Sequence, residues 1–288
     1  MRIFLTGSTG FIGSHLLREL LQAGHKVLAI RRSGSLPVIP LEQQPIWLER
    51  SLFQLNPDDL EGIDVCIHLA SAGVSPQRAS WQEMELINVA SGLHLIQIAH
   101  QAAVKRFIAA GTCLEYGLEA ENWDRIPPNA PLRPTTPYGS SKASGFHMLN
   151  AFASTNSIEL FYGRIFTAYG VGQFSGNLWP ALCQSARAGD DFPMTKGDQV
   201  RDFIPVLNVA RYLRIASERC DLKPGEPLIA NIGSGHGMRV IDFAKQQWER
   251  LGAIGSLRPG VISCQAGQIS RIVANPSNLT PIDNRVSP

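Results

Sequence analysis

Cysteine is sparse in this 288-residue chain, and none of its five cysteines falls in a CxxC pair. The scattered, odd set Cys66, Cys113, Cys183, Cys220 and Cys264 fits reduced cytoplasmic thiols better than a disulfide framework. No metal site is expected. Long apolar runs are also missing. Even HLIQIAHQAAVKRF is interrupted by polar groups before the ~20 residues needed to span a bilayer, so no membrane partner is expected. The opening MRIFLTGSTG has neither a charged region followed by a long apolar stretch nor a small-residue cleavage site, so no export signal is expected and a cytoplasmic location is. Charge of one sign is lacking too: 26 Lys+Arg against 24 Asp+Glu leave a net charge of +2. That balance, without a long basic run, offers no footprint for nucleic acid. There is no internal repeat and no low-complexity segment.

What is present is the composition of an ordinary globular chain, 44% hydrophobic and 17% charged, with enough length to bury a large core. The first half alternates short β-branched runs with stretches of helical period. Strands are predicted at Arg2 to Thr6, Lys26 to Arg31, Pro45 to Glu49, Asp64 to Leu69, Lys105 to Ala110 and Ile158 to Tyr162. Helices are predicted at Gly10 to Ala23, Trp81 to Ala102 and Thr136 to Thr155. This is the pattern of an α/β protein with a Rossmann-type doubly wound parallel sheet. Beyond Gly163 the alternation loosens into helices at Leu178 to Ala188, Leu207 to Arg219 and Arg239 to Leu251, with short strands near Phe203 and Leu228 to Ile232. A dinucleotide-binding domain over residues 1–163 is expected. Residues 164–288 are expected to form mainly a smaller substrate-binding lobe, with segments returning to the Rossmann core and a loose tail after Asn275.

LTGSTGFIG sets Gly7, Gly10 and Gly13 between the first strand and the first helix, the context in which this spacing carries meaning. The first glycine permits the tight turn, the second lets backbone approach a pyrophosphate, and the third lets helix and strand pack closely. Gly7, Thr9, Gly10, Phe11, Ile12 and Gly13 are therefore the expected cofactor contacts; the alternative is a glycine-rich turn with no ligand. The second strand ends Ile30-Arg31-Arg32-Ser33, with no carboxylate in that stretch. Two guanidinium groups suit a 2′-phosphate, so NADP is the expected cofactor and NAD the alternative. A pair of solvated surface arginines is the competing reading.

TPYGSSKASG puts Tyr138 and Lys142 four residues apart near the start of a helix, on one face. A free tyrosine has a pKa near ~10, and a neighbouring ammonium favours the phenolate, so Tyr138 is expected to exchange a proton near neutral pH. RFIAAGTCLEYG ends a strand and delivers Thr112 to the carboxyl edge of the sheet, where open α/β folds bind ligands. Cys113 reads as a small buried group beside the pocket. Glu115 should point away from Thr112 if the strand stays extended, which removes it from the catalytic set.

The ordered series TGSTGFIG, DVCIHLAS, INVASG with Asn88, GTCLEYG, PYGSSK, GRIFTAYG, GNLWPAL and QVRDFIPV resembles extended short-chain dehydrogenases acting on nucleotide sugars, over about Met1 to Leu279. The resemblance implies Thr112, Tyr138 and Lys142 as a catalytic triad, with Tyr138 and Lys142 also expected at the cofactor and Leu69 and Ala70 beside it. It also implies Cys113, Asn177 and Arg201 at the nucleotide-sugar substrate, and a homodimer through the helices at Trp81 to Ala102 and Thr136 to Thr155. One departure is Glu49-Arg50-Ser51-Leu52, where the family usually carries Gly-Asp. Dehydratases of the family carry Asp-Glu after the hydroxyl residue; Cys113-Leu114 stands here, and Leu114 moves no proton. Reduction of a 4-keto sugar with NADP is the leading expectation. The alternatives are NAD-dependent 4-epimerisation and a non-catalytic NADP-binding regulatory protein.

Overall fold

The computed structural model describes residues 1–74, 79–263 and 269–276; Cys264 and the tail from residue 277 onward lie outside them. The first strands and helix are β1 (Arg2–Thr6), α1 (Phe11–Gln22), β2 (Lys26–Arg31), β3 (Ile46–Glu49) and β4 (Val65–His68). There follow α2 (Trp81–Glu85), α3 (Ser91–Gln101), β5 (Arg106–Thr112), α4 (Pro137–Thr155) and β6 (Glu159–Ile165). The second half holds β7 (Thr167–Tyr169), α5 (Leu178–Ala188), β8 (Phe192–Met194), β9 (Val200–Pro205), α6 (Val206–Glu218) and β10 (Leu228–Ile232). It closes with β11 (Gly237–Arg239), α7 (Val240–Arg250), β12 (Leu257–Pro259) and β13 (Arg271–Ile272).

Seven strands form one parallel sheet in the order β10-β6-β5-β4-β1-β2-β3. Strand order reverses between β1 and β4, and a doubly wound sheet opens its ligand crevice at that point. The central strands are buried on both faces, so alternate residues feed two cores. Ile3, Leu5, Val65, Ile67 and Ile108 face α1 and α6, packing with Leu16, Leu20, Val209 and Leu213. Phe4, Cys66, Phe107 and Tyr162 face α3 and α4, packing with Leu95, Ile96, Phe146 and Leu149. The seventh strand, β10, comes from the second half of the chain and pairs with β6.

The helix expected over Trp81 to Ala102 is divided. A π-helical segment, Leu86–Ala90, separates α2 from α3. Its wider turn holds the buried Asn88, whose Oδ1 accepts Ser71 Oγ at 3.0 Å and the Ala72 amide at 2.9 Å. Nδ2 of the same side chain donates to Ser141 Oγ at 2.8 Å. Asn88 thus ties the loop after β4 to α4, a reason for the bulge that hydrophobic period does not encode.

Outside the main sheet, β9 pairs with β7, β11 and β13, while β8 pairs with β12. Most of these strands are two or three residues long, too short to show a period of two. Among the described residues no helix is long and apolar enough to cross a membrane.

Candidate active site

Gly7 sits in the left-handed region (φ +68°), and a Cβ there would lie 2.7 Å from the Leu69 carbonyl carbon and 2.8 Å from the Ala70 nitrogen. On Gly13 a Cβ would come within 2.0 Å of the Gly7 carbonyl oxygen. These two glycines are required by the close approach of loop, helix and β4. Helix α1 has Gly10 as its N-cap, with no side-chain cap and no acidic residue in the first turn, and Gly10 is exposed. Uncapped amides and the helix dipole there fit the pyrophosphate of a dinucleotide. Thr9, Phe11 and Ile12 are half-buried at the same turn.

Buried polar groups lock β4 to this loop. Thr6 Oγ1 accepts the amides of Leu69 at 3.1 Å and Ala70 at 3.2 Å. Its single proton therefore goes to His68 Nδ1 at 2.9 Å, which assigns the ring proton to Nε2. Burial, with Lys142 adding, pushes His68 down to about 3. The folded chain keeps this histidine neutral while the unfolded chain protonates it, so stability is lost as pH falls below the unfolded value. Between about pH 6.5 and 4.5 the wild type should lose roughly 2 kcal/mol more than His68→Gln in urea unfolding. Equal losses would contradict the assignment.

The two arginines at the end of β2, Arg31 within it and Arg32 just after, part company. Arg31 reaches across the sheet to Glu49, its register partner, with Nη2 2.6 Å and Nε 3.0 Å from Oε1. Its guanidinium also lies over Trp47 at 4.6 Å. A carboxylate does stand beside this pocket, contrary to the expectation from Ile30-Arg31-Arg32-Ser33. It comes from the adjacent strand, outside that sequence window. Arg32 is exposed, and its side chain has no bond or ion pair among the described residues.

Strand β5 delivers Thr112 to the sheet edge and stops, because Cys113–Glu115 forms a 3-10 turn. Thr112 Oγ1 accepts the Leu114 amide at 3.3 Å. Helix α4 packs on this turn so closely that a Cβ on Gly139 would lie 2.6 Å from the Leu114 carbonyl oxygen. Tyr138 and Lys142 are thereby brought to the Thr112 turn. Lys142 is buried and Tyr138 half-buried.

Electrostatics at Tyr138 run opposite to the sequence expectation. Burial pushes the phenol up to about 12; Glu115 and Cys113 add to the rise and a hydrogen bond with Ser71 opposes it. Burial lowers Lys142, against a raising influence from Glu115. Desolvation outweighs the expected help from the ammonium, and Tyr138 stands as a protonated phenol. Ser71 already donates its proton to Asn88, so its Oγ faces the phenol as an acceptor. Cys113 is buried, and burial pushes its thiol up to about 12, which makes it inert.

Glu115 stays out of the reacting set, but the extended-strand argument for that fails, since the chain turns immediately after Thr112. Its side chain is buried against Arg164 at 2.7 Å. Sequence reasoning did not single out Arg164, Ser71 or His68 as site residues; Asn88 was visible only as part of a motif.

Asn177 and Arg201 line one cleft of about 190 Å³ with Tyr169, Gln173, Trp179 and Phe203. Asn177 is the N-cap of α5, yet its side chain caps nothing. Arg201 bonds the carbonyls of Val200 and Ile269 at 2.9 Å and Gln199 Oε1 at 3.0 Å. No carboxylate pairs with it among the described residues, and burial lowers it. Gln173 Oε1 is buried without a partner beside it. A cation facing only neutral acceptors, in a cleft with an Asn177 side chain that caps nothing, suits an anionic ligand.

The sequence profile of the NAD dependent epimerase/dehydratase family matches residues 3–233. A UDP-glucose 4-epimerase of Streptomyces lividans is 27% identical over 83% of this chain and 78% of its own length. The dTDP-6-deoxy-L-talose 4-dehydrogenase (NAD(+)) of Aggregatibacter actinomycetemcomitans is 27% identical over 73% of this chain and 77% of its own. Among solved structures, MoeE5 in complex with UDP-glucose and NAD superposes with a TM-score of 0.81 at 28% identity, covering 96% of this chain and 89% of that one. With the glycine loop, the Rossmann sheet and the Thr112 turn in place, the chain belongs to the NAD dependent epimerase/dehydratase family.

Proposed function

We propose that this enzyme reduces the 4-keto group of a nucleoside-diphosphate sugar, with Tyr138 as proton donor. The observation that carries this reading is the packing of the Thr112 turn against the start of α4, which brings Thr112, Tyr138 and Lys142 together, with burial keeping the Tyr138 phenol protonated. A group that holds its proton throughout the neutral range is poised to give one to a developing alkoxide, whereas an oxidising site needs a base. When bound, the reduced nicotinamide supplies the hydride. Thr112 steadies the ketone oxygen, and Lys142 holds the nicotinamide ribose beside Tyr138. Asn177 and Arg201 take the diphosphate in the cleft they share. The 4-dehydrogenase relative supports chemistry at the same sugar carbon.

NADP is the proposed cofactor, resting on Arg32, the cation left free once Arg31 is spent on Glu49. Arg32→Ser should then raise KM for NADPH roughly 10- to 100-fold, the worth of a charge-assisted contact, with KM for NADH nearly unchanged. Equal effects on both cofactors would place the 2′-phosphate elsewhere. Glu49 beside Arg31 favours a second reading, 4-epimerisation with tightly held NAD, as named for the Streptomyces relative. The exposed Trp81, Leu86 and Met148 on the α2 to α4 segments support a homodimer, which native mass measurement would check.

The direct assay supplies a dTDP- or UDP-4-keto-6-deoxyhexose with NADPH or NADH. Loss of reduced cofactor matched by product supports the reductase. Interconversion of UDP-sugars without added cofactor, by protein that carries NAD from purification, supports the epimerase instead.

A further inference from the structure

Ser14 and His15 of α1, one turn beyond the glycine loop, are 0% and 3% exposed and take no part in the proposed reaction. Both reach out of the helix to distant pieces of chain. Ser14 Oγ donates to the Ser8 carbonyl at 3.3 Å and accepts the Val38 amide at 3.1 Å, so the segment after β2 lies against α1. The His15 ring stands edge-on to Phe11, with centroids 6.0 Å apart, and its Nε2 donates to the Val171 carbonyl at 2.9 Å. A carbonyl only accepts, which places the ring proton on Nε2 and leaves Nδ1 to accept Arg18 Nη2 at 3.4 Å. Burial lowers the proton affinity of the ring, with Arg18 acting in the same direction and Val171 and Glu19 opposing.

Val171 belongs to residues 170–177, which lead from β7 to α5 and carry Gln173 and Asn177 into the cleft that Arg201 also lines. Two turns shape this stretch: the Gln173 amide donates to the Gly170 carbonyl at 3.2 Å, and the Asn177 amide to the Phe174 carbonyl at 3.0 Å. Gly172 holds φ +85°, a conformation that costs a glycine much of its freedom. The loop is also held from outside. A Cβ on Gly170 would lie 2.7 Å from Val206 Cγ1, and one on Gly172 2.7 Å from Val38 Cγ2. Between those two apolar contacts, His15 supplies a polar tie to the helix that follows the glycine loop. Side chains on such a loop bind an anion tightly when the loop is ordered before the ligand arrives, because the ordering entropy is then not charged to binding.

We infer that His15 is a positioning residue for the substrate: by holding Val171 against α1 it presets Gln173 and Asn177 in the cleft for a nucleoside diphosphate. This rests on the reading of that cleft as the diphosphate site.

His15→Phe keeps a ring against Phe11 and removes the donor, while His15→Gln returns an N–H at about the place of Nε2. Calorimetric titration with UDP and with dTDP reads the site. The dissociation constant of the diphosphate should rise at least about fivefold in His15→Phe, the worth of one hydrogen bond. In His15→Gln it should return to within about twofold of wild type. Fluorescence titration of NADPH and NADH should change by less than about twofold in both variants. Should His15→Phe fail to fold, Gly172→Ala pushes the same loop off Val38 and should weaken the diphosphate to a similar degree. A bracing role alone predicts a lower melting temperature with unchanged diphosphate affinity, and that result overturns the inference. A loss that His15→Gln does not restore overturns it as well.

Amide hydrogen exchange across residues 170–177, measured without ligand, is the second arm. Exchange there should be faster in His15→Phe than in wild type or His15→Gln. Wild type that binds neither UDP nor dTDP refutes the cleft reading and the substrate role with it, even if faster exchange shows the anchor. Diphosphate binding by wild type, with affinity unchanged in folded His15→Phe, refutes the role of His15 and leaves the cleft reading standing.

Discussion

Tyr138→Phe is expected to lower turnover of a 4-keto nucleotide sugar by about 10²- to 10⁴-fold, the usual worth of a positioned general acid. Cofactor affinity should hold within a few-fold, because the Gly7 to Gly13 loop and the β4 edge do not involve the phenol. The substitution removes one oxygen, and the ring keeps its place at the start of α4. Steady-state kinetics with a fluorescence titration of NADPH separates the two effects. A non-catalytic regulatory protein would instead keep its biological activity in the Phe variant, and that outcome would exclude an enzyme working through this residue.

The second large effect concerns folding. Arg164→Leu should cost about 3–5 kcal/mol, because it leaves Glu115 buried with no counter-charge. Burial works against the Arg164 charge and Glu115 raises it back, so each partner is what makes the other tolerable. Arg164 also donates to the Pro128 carbonyl at 2.9 Å and sits 5.0 Å from the Tyr116 ring. Urea unfolding measures the loss. Pairing Arg164→Leu with Glu115→Leu should recover much of it, whereas a double variant as unstable as the single one would show that the charge was not the cause.

How far these groups were legible in the sequence differs from one to the next. The glycine loop could be read because its spacing is local: a strand, a tight turn and the start of a helix lie within thirteen residues, and Gly10 and Gly13 both answer to Gly7, while Gly7 itself meets the distant Leu69 and Ala70. The sheet could be read from short apolar runs such as Ile3-Phe4-Leu5 alternating with stretches of helical period, since a strand buried on both faces feeds two different cores. The π segment at Asn88 could not, because its cause is hydrogen bonding to Ala72 and Ser141 across the fold. The pairing of Glu49 with Arg31 escaped notice for a similar reason. Glu49 meets Arg31 through strand register, eighteen positions along the chain.

The catalytic region shows the same limit in its electrostatics. Four-residue spacing correctly set Tyr138 and Lys142 on one helix, but the direction of proton affinity followed from burial, which spacing does not report. Glu115 was excluded by assuming that β5 continued. The strand ends at Thr112, and the turn that follows carries the carboxylate inward to Arg164.

The central claim is hydride delivery to carbon 4 of a nucleotide sugar with a proton from Tyr138. Its most direct test is NADPH deuterated at the transferable nicotinamide position, mixed with a 4-keto nucleotide sugar, with the product read by NMR. Deuterium at carbon 4 in the wild type, and none in Tyr138→Phe over the same interval, is the predicted result. Product free of deuterium, or UDP-sugar interconversion by enzyme-held NAD alone, would contradict it.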